Sequence, residues 1–596
     1  NRSTPVHVVK LGFSLPNSSH SAMPSLPRSS EPASSIIQAW QGAATSLAGA
    51  VANYLTLSNL LETSFLSVDN NTGNLVARMD WSLQTLQNLN QQLTQAQTAV
   101  AKARNRLASP LSRLPEEVLS NIFMCAVYDR EDNFNYFPGV QERVQAIYQQ
   151  LHNLMGVCTV WRNICVTRQA FWSIVPMVDP NFGYGLPRLQ STELSLQRAG
   201  NQGLGLAIFL QDHPDYPSKE RLATLIDHFS RLRTINVYSR LRYIVFQFLS
   251  MLLQHGTPEM VSELSLCYLD DRHGNSYGYS EDYCFNHEQC PVLRQFHRLM
   301  SSLSALQISN ILFDWKGIAF SSRLVGLRVD KIRLPSALAV NSFLNALSSA
   351  HELRDLKLIR IVAFPDQGTE LLPESRVSLP KLESLYLEDL YLNVMKMFLT
   401  SITAHSYCLT LNVSVRARSN LSANTAPEKV SIDDTCGLLA CFPVNVLVLE
   451  HCESFWLTNS GLHNLLKSMP TLKKLVLNSY NLDKEELKTL ESPQMSQSST
   501  NKIPFPQLET LELWRVSIYD DGEGLKDVIT SHPLRRLIFG GYFQRGPDDN
   551  YEEIQIKEGD EIVRWLRSNV SDFHFIKDME KLPESAVTDR WQLWGL

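Results

Sequence analysis

A short apolar pattern recurs along the C-terminal two-thirds of the chain. Each copy has an apolar residue, two further residues, a second apolar residue, one more residue and a third apolar residue, and its alternating part predicts a β-strand. The central residues of successive copies lie 21 to 42 positions apart. The copies are Ser191-Leu194-Leu196 (a weak one), Leu232-Ile235-Val237, Val261-Leu264-Leu266, Leu303-Leu306-Ile308, Leu324-Leu327-Val329, Leu353-Leu356-Leu358, Leu382-Leu385-Leu387, Cys408-Leu411-Val413, Val444-Leu447-Leu449, Leu472-Leu475-Leu477, Leu508-Leu511-Leu513, Leu534-Leu537-Phe539 and Val570-Phe573-Phe575.

Helical stretches lie between these strands, for example ALAVNSFLNALSSAHE, NVMKMFLTSITAH and SGLHNLLKSMP. Each unit of strand, loop and helix resembles a leucine-rich repeat of irregular length. One unit cannot bury its own apolar edge, so the units must stack. The sequence therefore predicts an α/β fold over residues 185–580, a leucine-rich-repeat solenoid curved into a horseshoe with parallel strands on its concave side. An ordinary α/β domain with leucine-rich strands is the less favoured alternative.

Two long helices are predicted over residues 36–109. In the second, apolar residues recur in alternating steps of three and four from Leu75 to Leu107, with Ser82 as the one polar residue of the seam. This is a heptad pattern. The seam can be buried in a hairpin with the preceding helix, which carries Trp40 and Tyr54, or between two copies of the chain. The hairpin is the favoured interpretation, because the seam lacks charged flanking pairs.

The pattern of apolar residues predicts three short helices within residues 110–175. Pro115 suits the first turn of a helix, and Glu116 and Glu117 follow where the helix dipole favours negative charge. An apolar stripe of Val118, Leu119, Ile122, Phe123 and Ala126 runs along that helix. A polar loop is predicted from Tyr128 to Gly139, then a second helix from Val140 to Trp161 and a third segment ending at Phe171-Trp172. Such a small unit needs a neighbour to bury enough surface.

This segment resembles an F-box, the adaptor-binding module of Skp–cullin–F-box ubiquitin ligases. The resemblance rests on order and spacing, and the helical lead before it resembles fungal F-box-like proteins with an upstream coiled region. A departure from the family is the long polar stretch from Tyr128 to Gly139. The matching features are Leu114-Pro115, Glu116-Glu117-Val118-Leu119, Ile122-Phe123, Val157-Cys158, Trp161-Arg162 and Trp172.

The resemblance implies that the segment binds a Skp-family adaptor and, through it, a cullin–RING ligase. The residues expected to contact the adaptor are Leu111, Leu114, Pro115, Ile122, Val157 and Trp161. Ile122 and Trp161 have an alternative role in the core of the small module. The repeats would then bind a target protein, and aromatic and charged residues near the strands are candidates for that contact, since such side chains dominate interfaces. They are Tyr386, Glu388, His451, Tyr480, Trp514 and Arg515.

The composition of the chain narrows the classes of partner and the compartment that fit it. With 54 basic and 60 acidic residues the net charge is −6, which does not favour a nucleic-acid binder. Ten scattered cysteines without a CxxC pair favour a reducing, intracellular compartment, cytoplasm or nucleus.

Nucleotide-binding and hydrolase motifs are missing from the sequence, so we expect no catalysis and no cofactor. Cys284, His287 and Cys290 have a ligand-like spacing, but a surface loop is the favoured interpretation and no metal site is expected.

Together these features predict a non-catalytic substrate receptor of a ubiquitin ligase. The alternative is a repeat scaffold that binds partners or associates with itself through the upstream heptads. Residues 1–35, rich in Ser and Pro, are expected to be a disordered leader or the edge of a fragment, and residues 581–596 a tail. Residues 32–61 contain no charge, but polar residues interrupt them, so a packed amphipathic helix is favoured over a membrane span.

Overall fold

The computed structural model describes thirteen stretches of the chain: 31–64, 72–108, 110–128, 140–178, 188–210, 222–269, 292–364, 376–422, 426–450, 459–492, 505–519, 522–545 and 552–577. The chain divides into two compact units, residues 1–113 and 114–596. Within the described stretches, no helix is long and apolar enough to cross a membrane. The predicted leader (residues 1–30 of it), the loop after Tyr128, the Cys284–His287–Cys290 cluster and the tail lie outside these stretches.

The first unit contains two long helices and a short 3-10 helix, Pro110–Arg113. Helix α1 (Glu31–Ser64) and helix α2 (Thr72–Ala108) cover the region that the heptad pattern predicted. The apolar side chains of α1 are exposed along its whole length, including Trp40 and Tyr54. Both expected helices are therefore present, and the hairpin between them stays a prediction.

Thirteen further α-helices lie in the described part of the second unit. Three of them precede the sheet, and the others alternate with its strands. Their bounds are α3 (Glu116–Tyr128), α4 (Val140–Val157), α5 (Thr159–Thr167), α6 (Arg188–Arg198), α7 (Arg242–His255), α8 (Leu293–Met300), α9 (Ala337–Ser348), α10 (Leu392–Ser401), α11 (Ile432–Leu439), α12 (Asn459–Lys467), α13 (Lys484–Leu490), α14 (Glu523–Ser531) and α15 (Glu561–Asn569).

Among the described residues, sixteen strands form one sheet in which nearly all neighbours are parallel. The pairing follows the chain order, as expected for stacked strand–helix units. The strands of this sheet are β1 (Ile174–Val178), β2 (Leu204–Leu210), β3 (Leu232–Ser239), β4 (Glu263–Tyr268), β5 (Ala305–Ser309), β6 (Gly326–Asp330), β8 (Asp355–Ile359), β11 (Ser384–Glu388), β13 (Cys408–Val413), β16 (Val444–Glu450), β17 (Lys474–Asn478), β18 (Asn481–Leu482), β19 (Thr510–Ile518), β20 (Arg536–Arg545), β21 (Glu552–Gln555) and β22 (Asp572–Phe575). Short two-stranded ladders join β7 (Arg333–Leu334) to β9 (Val362–Ala363), β10 (Val377–Ser378) to β12 (Ile402–Thr403), and β14 (Ser419–Asn420) to β15 (Glu428–Lys429).

Leucines stand opposite leucines across this sheet. Leu306 pairs with Leu327, Leu327 with Leu356, and Leu356 with Leu385. All of these side chains are buried and belong to the core that the helices cover. Because successive side chains of a strand point to opposite faces, the positions between the leucines form the other face. Exposed Lys357, between Leu356 and Leu358, marks that face. The expected repeat register is therefore present.

Several strands of this sheet end in a residue with left-handed backbone. Within the described stretches six non-glycine residues have a positive φ, from 49° to 56°: Asn310, Lys331, Arg360, Asp389, Ser479 and Arg515. The first five directly follow a strand, and Arg515 interrupts the pairing of β19 with β20. In the first five of these residues the backbone N–H donates to a carbonyl of the next strand, as from Lys331 to Ile359 over 3.0 Å. The repeated bond compensates for a conformation that costs about 1–2 kcal/mol in a residue with a Cβ.

The structure changes the predicted pattern at its beginning. The weak copy at Ser191-Leu194-Leu196 lies in helix α6, so the strand prediction there is wrong, and the sheet starts at residue 174 rather than after 185. The other twelve copies coincide with strands. The predicted second helix is divided at Cys158, whose backbone is extended (φ −160°, ψ 170°). Strand β1 was missed because its sequence IVPMV contains a proline and β2 because its sequence LGLAIFL is almost continuously apolar.

The first edge of the sheet is closed by side chains. Among the described residues strand β1 pairs with β2 alone, and Pro176 has no N–H to offer on its other side. The Tyr148 hydroxyl donates to the carbonyl of Ile174 over 2.6 Å, and the Thr192 hydroxyl donates to that of Pro176 over 2.6 Å. Both carbonyls lie on buried residues. The edge therefore leaves little for another strand to pair with.

Candidate protein-binding surfaces

Helices α3 and α5 lie side by side and run in opposite directions. Near the start of α3 the Glu116 carboxylate is 3.3 Å from the guanidinium of Arg168, just after the end of α5. Farther along α3 the ring of Phe123 packs on Trp161 near the start of α5, with centroids 4.6 Å apart. Phe123 is buried and Trp161 partly buried. The two helices therefore share an inner aromatic contact and present their outer faces side by side.

The residues predicted to contact an adaptor fall into two groups. Pro115, Ile122 and Val157 are exposed. Leu114 and Trp161 are only partly buried and pack against the core, so each has one side available. Leu111 is also exposed, but it belongs to the first unit. The core role considered for Trp161 is thus partly present, and the one considered for Ile122 is not.

Three further apolar side chains are exposed on α3 and α5, namely Val118, Val160 and Val166. Val118 lies four residues before Ile122 on α3, which places them on one face of the helix, and Val160 lies on the first turn of α5. The sequence had grouped Val118 and Ile122 with Leu119 and Phe123 in a single apolar stripe. The structure separates them, because Leu119 and Phe123 face the core. A helix that is apolar on two faces is the sequence signal for such a surface.

This helical module is tied to the first repeats through buried polar contacts. The Tyr148 hydroxyl bonds to the Ser195 hydroxyl of α6 over 2.7 Å as well as to β1. The Trp172 indole N–H donates to the carbonyl of Cys165 over 2.8 Å, and the Arg198 guanidinium covers the Trp172 ring at 4.2 Å. Burial raises the pKa of Tyr128 to about 12, so its hydroxyl stays a neutral donor to the carbonyl of Phe171. The module and the sheet therefore share one core.

The face of the sheet opposite the leucines carries polar side chains that bond to one another. The Tyr386 hydroxyl donates to the Glu388 carboxylate over 2.7 Å, and both residues are buried. Burial, reinforced by the negative charge of Glu388, raises the pKa of Tyr386. The phenol therefore remains protonated and keeps donating to the carboxylate. These two predicted contact residues are held in one fixed arrangement.

The same kind of contact recurs farther along this face. The Trp514 indole N–H donates to the Glu512 carboxylate over 3.1 Å, and the Lys474 ammonium lies 2.6 Å from the other oxygen of that carboxylate. The Arg515 guanidinium donates to the side-chain oxygen of Asn478 over 3.1 Å. The Asn478 amide in turn donates to Glu450 over 2.6 Å. Trp514 and Arg515 are half-buried, so each keeps part of its surface open.

The remaining candidates have different settings. Tyr480 is buried, and burial raises its pKa to about 12. His451 lies outside the described residues. Sequence reasoning missed Asp330, Arg360 and Ser309, which form a further polar cluster at the end of neighbouring strands. In the sequence these residues come just after an apolar triplet, and the leucine pattern takes no account of those positions.

One open groove lies between helices α12 and α13, on the helical side of the repeats. It has a volume of about 430 Å³ and is lined by polar residues that include Asn459, His463, Glu485 and Lys488. The lining mixes both charges and lacks an apolar floor, which a small-molecule pocket usually has. Within the described stretches, no group of three or more His, Cys, Asp and Glu side chains is placed to hold a metal ion.

The strand–helix units with leucines in register give this chain the architecture of leucine-rich-repeat proteins. No protein-family model and no curated protein matches the sequence. Among solved structures it is similar to the leucine-rich repeat-containing protein LegL7 from Legionella pneumophila, with 13% identity, a TM-score of 0.30, and coverage of 61% of this chain and 97% of that one.

It is also similar to a chain of the Rad7 and Elc1 complex in yeast, with 12% identity, a TM-score of 0.31, and coverage of 75% of this chain and 94% of that one. A third similar structure is the mouse RP105/MD-1 complex, with 12% identity, a TM-score of 0.25, and coverage of 65% of this chain and 68% of that one. At these values the likenesses carry no argument about function.

Proposed function

We propose that this protein is a non-catalytic substrate receptor of a Skp–cullin–F-box ubiquitin ligase. In this proposal helices α3 to α5 bind a Skp-family adaptor, and the polar face of the repeats binds a target protein. The observation that carries the proposal is the row of exposed apolar side chains on α3 and α5, in the segment whose sequence resembles an F-box. Exposed apolar side chains that lie together mark binding surfaces in soluble proteins.

The chemistry of that surface fits a protein partner. Val118 and Ile122 offer branched apolar side chains on one face of α3, while Val157 at the end of α4 and Val160 on the first turn of α5 offer the same. Beneath them the Phe123–Trp161 contact is buried on one side and fixes the spacing of the two helices. An apolar centre of this kind, with the charged pair Glu116–Arg168 at its rim, has the composition of a protein interface.

The shared core supports the second half of the mechanism. Because the module and the first repeats are joined through buried contacts, a target on the repeats is held at a fixed position relative to the adaptor. Holding a lysine of the target near a ubiquitin-charged enzyme converts a bimolecular encounter into a local one. No side chain of this chain needs to form or break a bond. The polar face, with Trp514 and Arg515 half-exposed, supplies the side-chain types that dominate interfaces.

The decisive experiment mixes the full chain with a purified Skp-family adaptor and follows the mixture by size-exclusion chromatography. A stable complex that is lost when Ile122 is replaced by Glu supports the receptor. A chain that elutes without the adaptor at every concentration contradicts it and favours the repeat scaffold. Affinity capture on the full chain, followed by mass spectrometry, then identifies the target, with the Trp514→Ala variant as the matched bait.

A further inference from the structure

Helix α1 carries an apolar seam whose large side chains are exposed to solvent. Its positions recur in alternating steps of four and three, the spacing of a coiled coil. The seam is Ile37, Trp40, Ala44, Leu47, Val51, Tyr54, Ser58 and Leu61. Its six large apolar members are between 44% and 53% exposed. A stripe of this length exceeds the scattered apolar residues that are normal on a protein surface.

The neighbouring helix is in a similar state. The heptad positions Leu86, Leu89 and Val100 of α2 are between 39% and 46% exposed, whereas Leu75, Met79 and Leu93 are partly buried. The α1–α2 unit therefore has two long helices whose apolar seams both keep large side chains exposed to solvent.

Charge decides which partner fits. Residues 32–61 contain no Asp, Glu, Lys or Arg, so the seam of α1 offers no charge that would attract an acidic or a basic protein. The same absence removes any repulsion between two identical helices, which would otherwise place like charges against each other. A surface that is neutral, apolar and regular along its length is complementary to a copy of itself, and a two-fold dimer requires a patch of this self-complementary kind.

The available area is sufficient. The 34 residues of α1 give a helix about 51 Å long and roughly 10 Å wide, so a strip along it covers about 500 Å² on each copy. Two such strips bury about 1,000 Å², close to the lower limit of about 1,200 Å² for a stable interface. The seam of α2 (37 residues) adds a strip of similar size and brings the total above that limit.

We infer that the protein forms a homodimer in which the α1 and α2 seams of one copy pack against those of a second copy. The inference does not rest on the proposed function. A dimer places two repeat faces and two α3–α5 surfaces in one particle, so a target with two binding sites is held more tightly than by either face alone.

Light scattering on the full chain after size-exclusion chromatography tests the inference. We expect a particle of twice the chain mass of 67.6 kDa, and two differently tagged copies that co-purify after co-expression. The seam variant Leu47→Lys with Tyr54→Lys should be a monomer. The matched control, Ser46→Lys with Asn53→Lys, adds the same charges one residue away, off the seam, and should remain a dimer. Equal helix content by circular dichroism shows that both variants fold.

Two results would overturn the inference. One is a monomeric wild-type chain at all concentrations, which includes the case where a different protein covers α1. The other is a dimer that both variants retain, which would place the contact elsewhere. Adaptor binding of the same variants keeps the two proposals separate. A seam variant that is monomeric and still binds the adaptor supports both, whereas a dimer that never binds the adaptor counts against the receptor function alone.

Discussion

Arg360 and Asp330 form a buried ion pair that links two neighbouring strands of the sheet. The guanidinium donates to both carboxylate oxygens, each over 2.9 Å, and the Ser309 hydroxyl of the preceding strand donates to the same carboxylate over 2.9 Å. Both charged side chains are at most 6% exposed. Arg360 is also one of the residues with left-handed backbone, and from its position just after β8 its side chain reaches Asp330 at the end of β6.

Replacing Arg360 by Met should lower the free energy of unfolding by about 3–5 kcal/mol, because the Asp330 carboxylate is left buried without its cation. Chemical denaturation monitored by circular dichroism measures the loss. The matched control is Lys381→Met, which removes an ion pair to Glu352 whose side chains are 52% and 40% exposed and should cost at most about 1 kcal/mol. Equal losses in the two variants would contradict the structural role of the buried pair.

Ser479 tests the left-handed turns. Its φ is 52°, and its N–H donates to the carbonyl of Trp514 over 2.8 Å. The Ser479→Gly variant should be as stable as the wild type or more stable by up to about 1 kcal/mol, because glycine adopts this backbone without strain. The Ser479→Val variant should be less stable by about 1–2 kcal/mol, since a β-branched residue resists it. Thermal denaturation ranks the three proteins, and a valine variant as stable as the glycine variant would refute the argument.

His532 should make stability depend on pH. It is buried, its Nε2–H donates to the carbonyl of Leu490 over 2.8 Å, and the Leu508 N–H lies 3.4 Å from Nδ1. Burial lowers the pKa of this imidazole, so the folded protein holds it neutral while the unfolded chain takes up a proton below about pH 6.5. This contribution to stability is present above that pH. It declines as the pH falls toward the folded pKa, with a slope of at most about 1.4 kcal/mol per pH unit.

Denaturation curves collected from neutral to mildly acidic pH measure this dependence. The His532→Gln variant should be less stable at neutral pH, because it loses the ring contacts, and should show a shallower decline toward acid. A decline of the same slope in variant and wild type would assign the effect to other groups.

The α3–α5 surface should lose the adaptor without losing its fold. Leu114→Ala with Pro115→Ala should abolish co-purification of a Skp-family adaptor, and so should Ile122→Glu, which places a charge on the exposed apolar face. Asn121→Glu adds the same charge at the neighbouring exposed position of α3 and should bind as the wild type does. Circular dichroism should be unchanged in all three. Full binding by Ile122→Glu would remove this face as the contact.

The first edge of the sheet can be opened by deleting single hydroxyls. Thr192→Val leaves the buried carbonyl of Pro176 without its donor, and Tyr148→Phe does the same to Ile174, so each should cost about 1–3 kcal/mol. Thr400→Val is the control: its exposed hydroxyl bonds to a carbonyl within its own helix and should change stability by less than about 0.5 kcal/mol. Denaturant titrations provide the comparison, and a neutral Thr192→Val would show that the carbonyl finds another donor.

The repeated strands could be predicted from sequence because their signal is local. A buried leucine on each side of an exposed residue, as in Leu356-Lys357-Leu358, appears in any single unit, and stacking then follows from the unburied edge. Strand β1 lacks this signal because it is buried on both faces and closed by other elements. The weak triplet ending at Leu196 lies in helix α6, where residues two apart are on different faces: Leu194 is exposed and Leu196 is buried.

The candidate surfaces were less accessible to sequence reasoning. Exposure of Ile122 depends on which side of α3 faces the sheet, and that side is set by contacts with residues far along the chain, such as Trp161. Likewise, the sequence places Tyr386 and Glu388 two positions apart but does not show that they bond to each other in a buried setting. The adaptor and target roles of these residues stay predictions until the binding experiments are done.

The closed edge at β1 restricts how the array can change in length during evolution. A duplicated unit inside the array finds a strand to pair with on both of its sides. A unit inserted ahead of β1 would meet a proline without an N–H and carbonyls already taken by Tyr148 and Thr192. We therefore expect repeats to be added or removed downstream of this strand, with the junction between the helical module and the first repeat left intact.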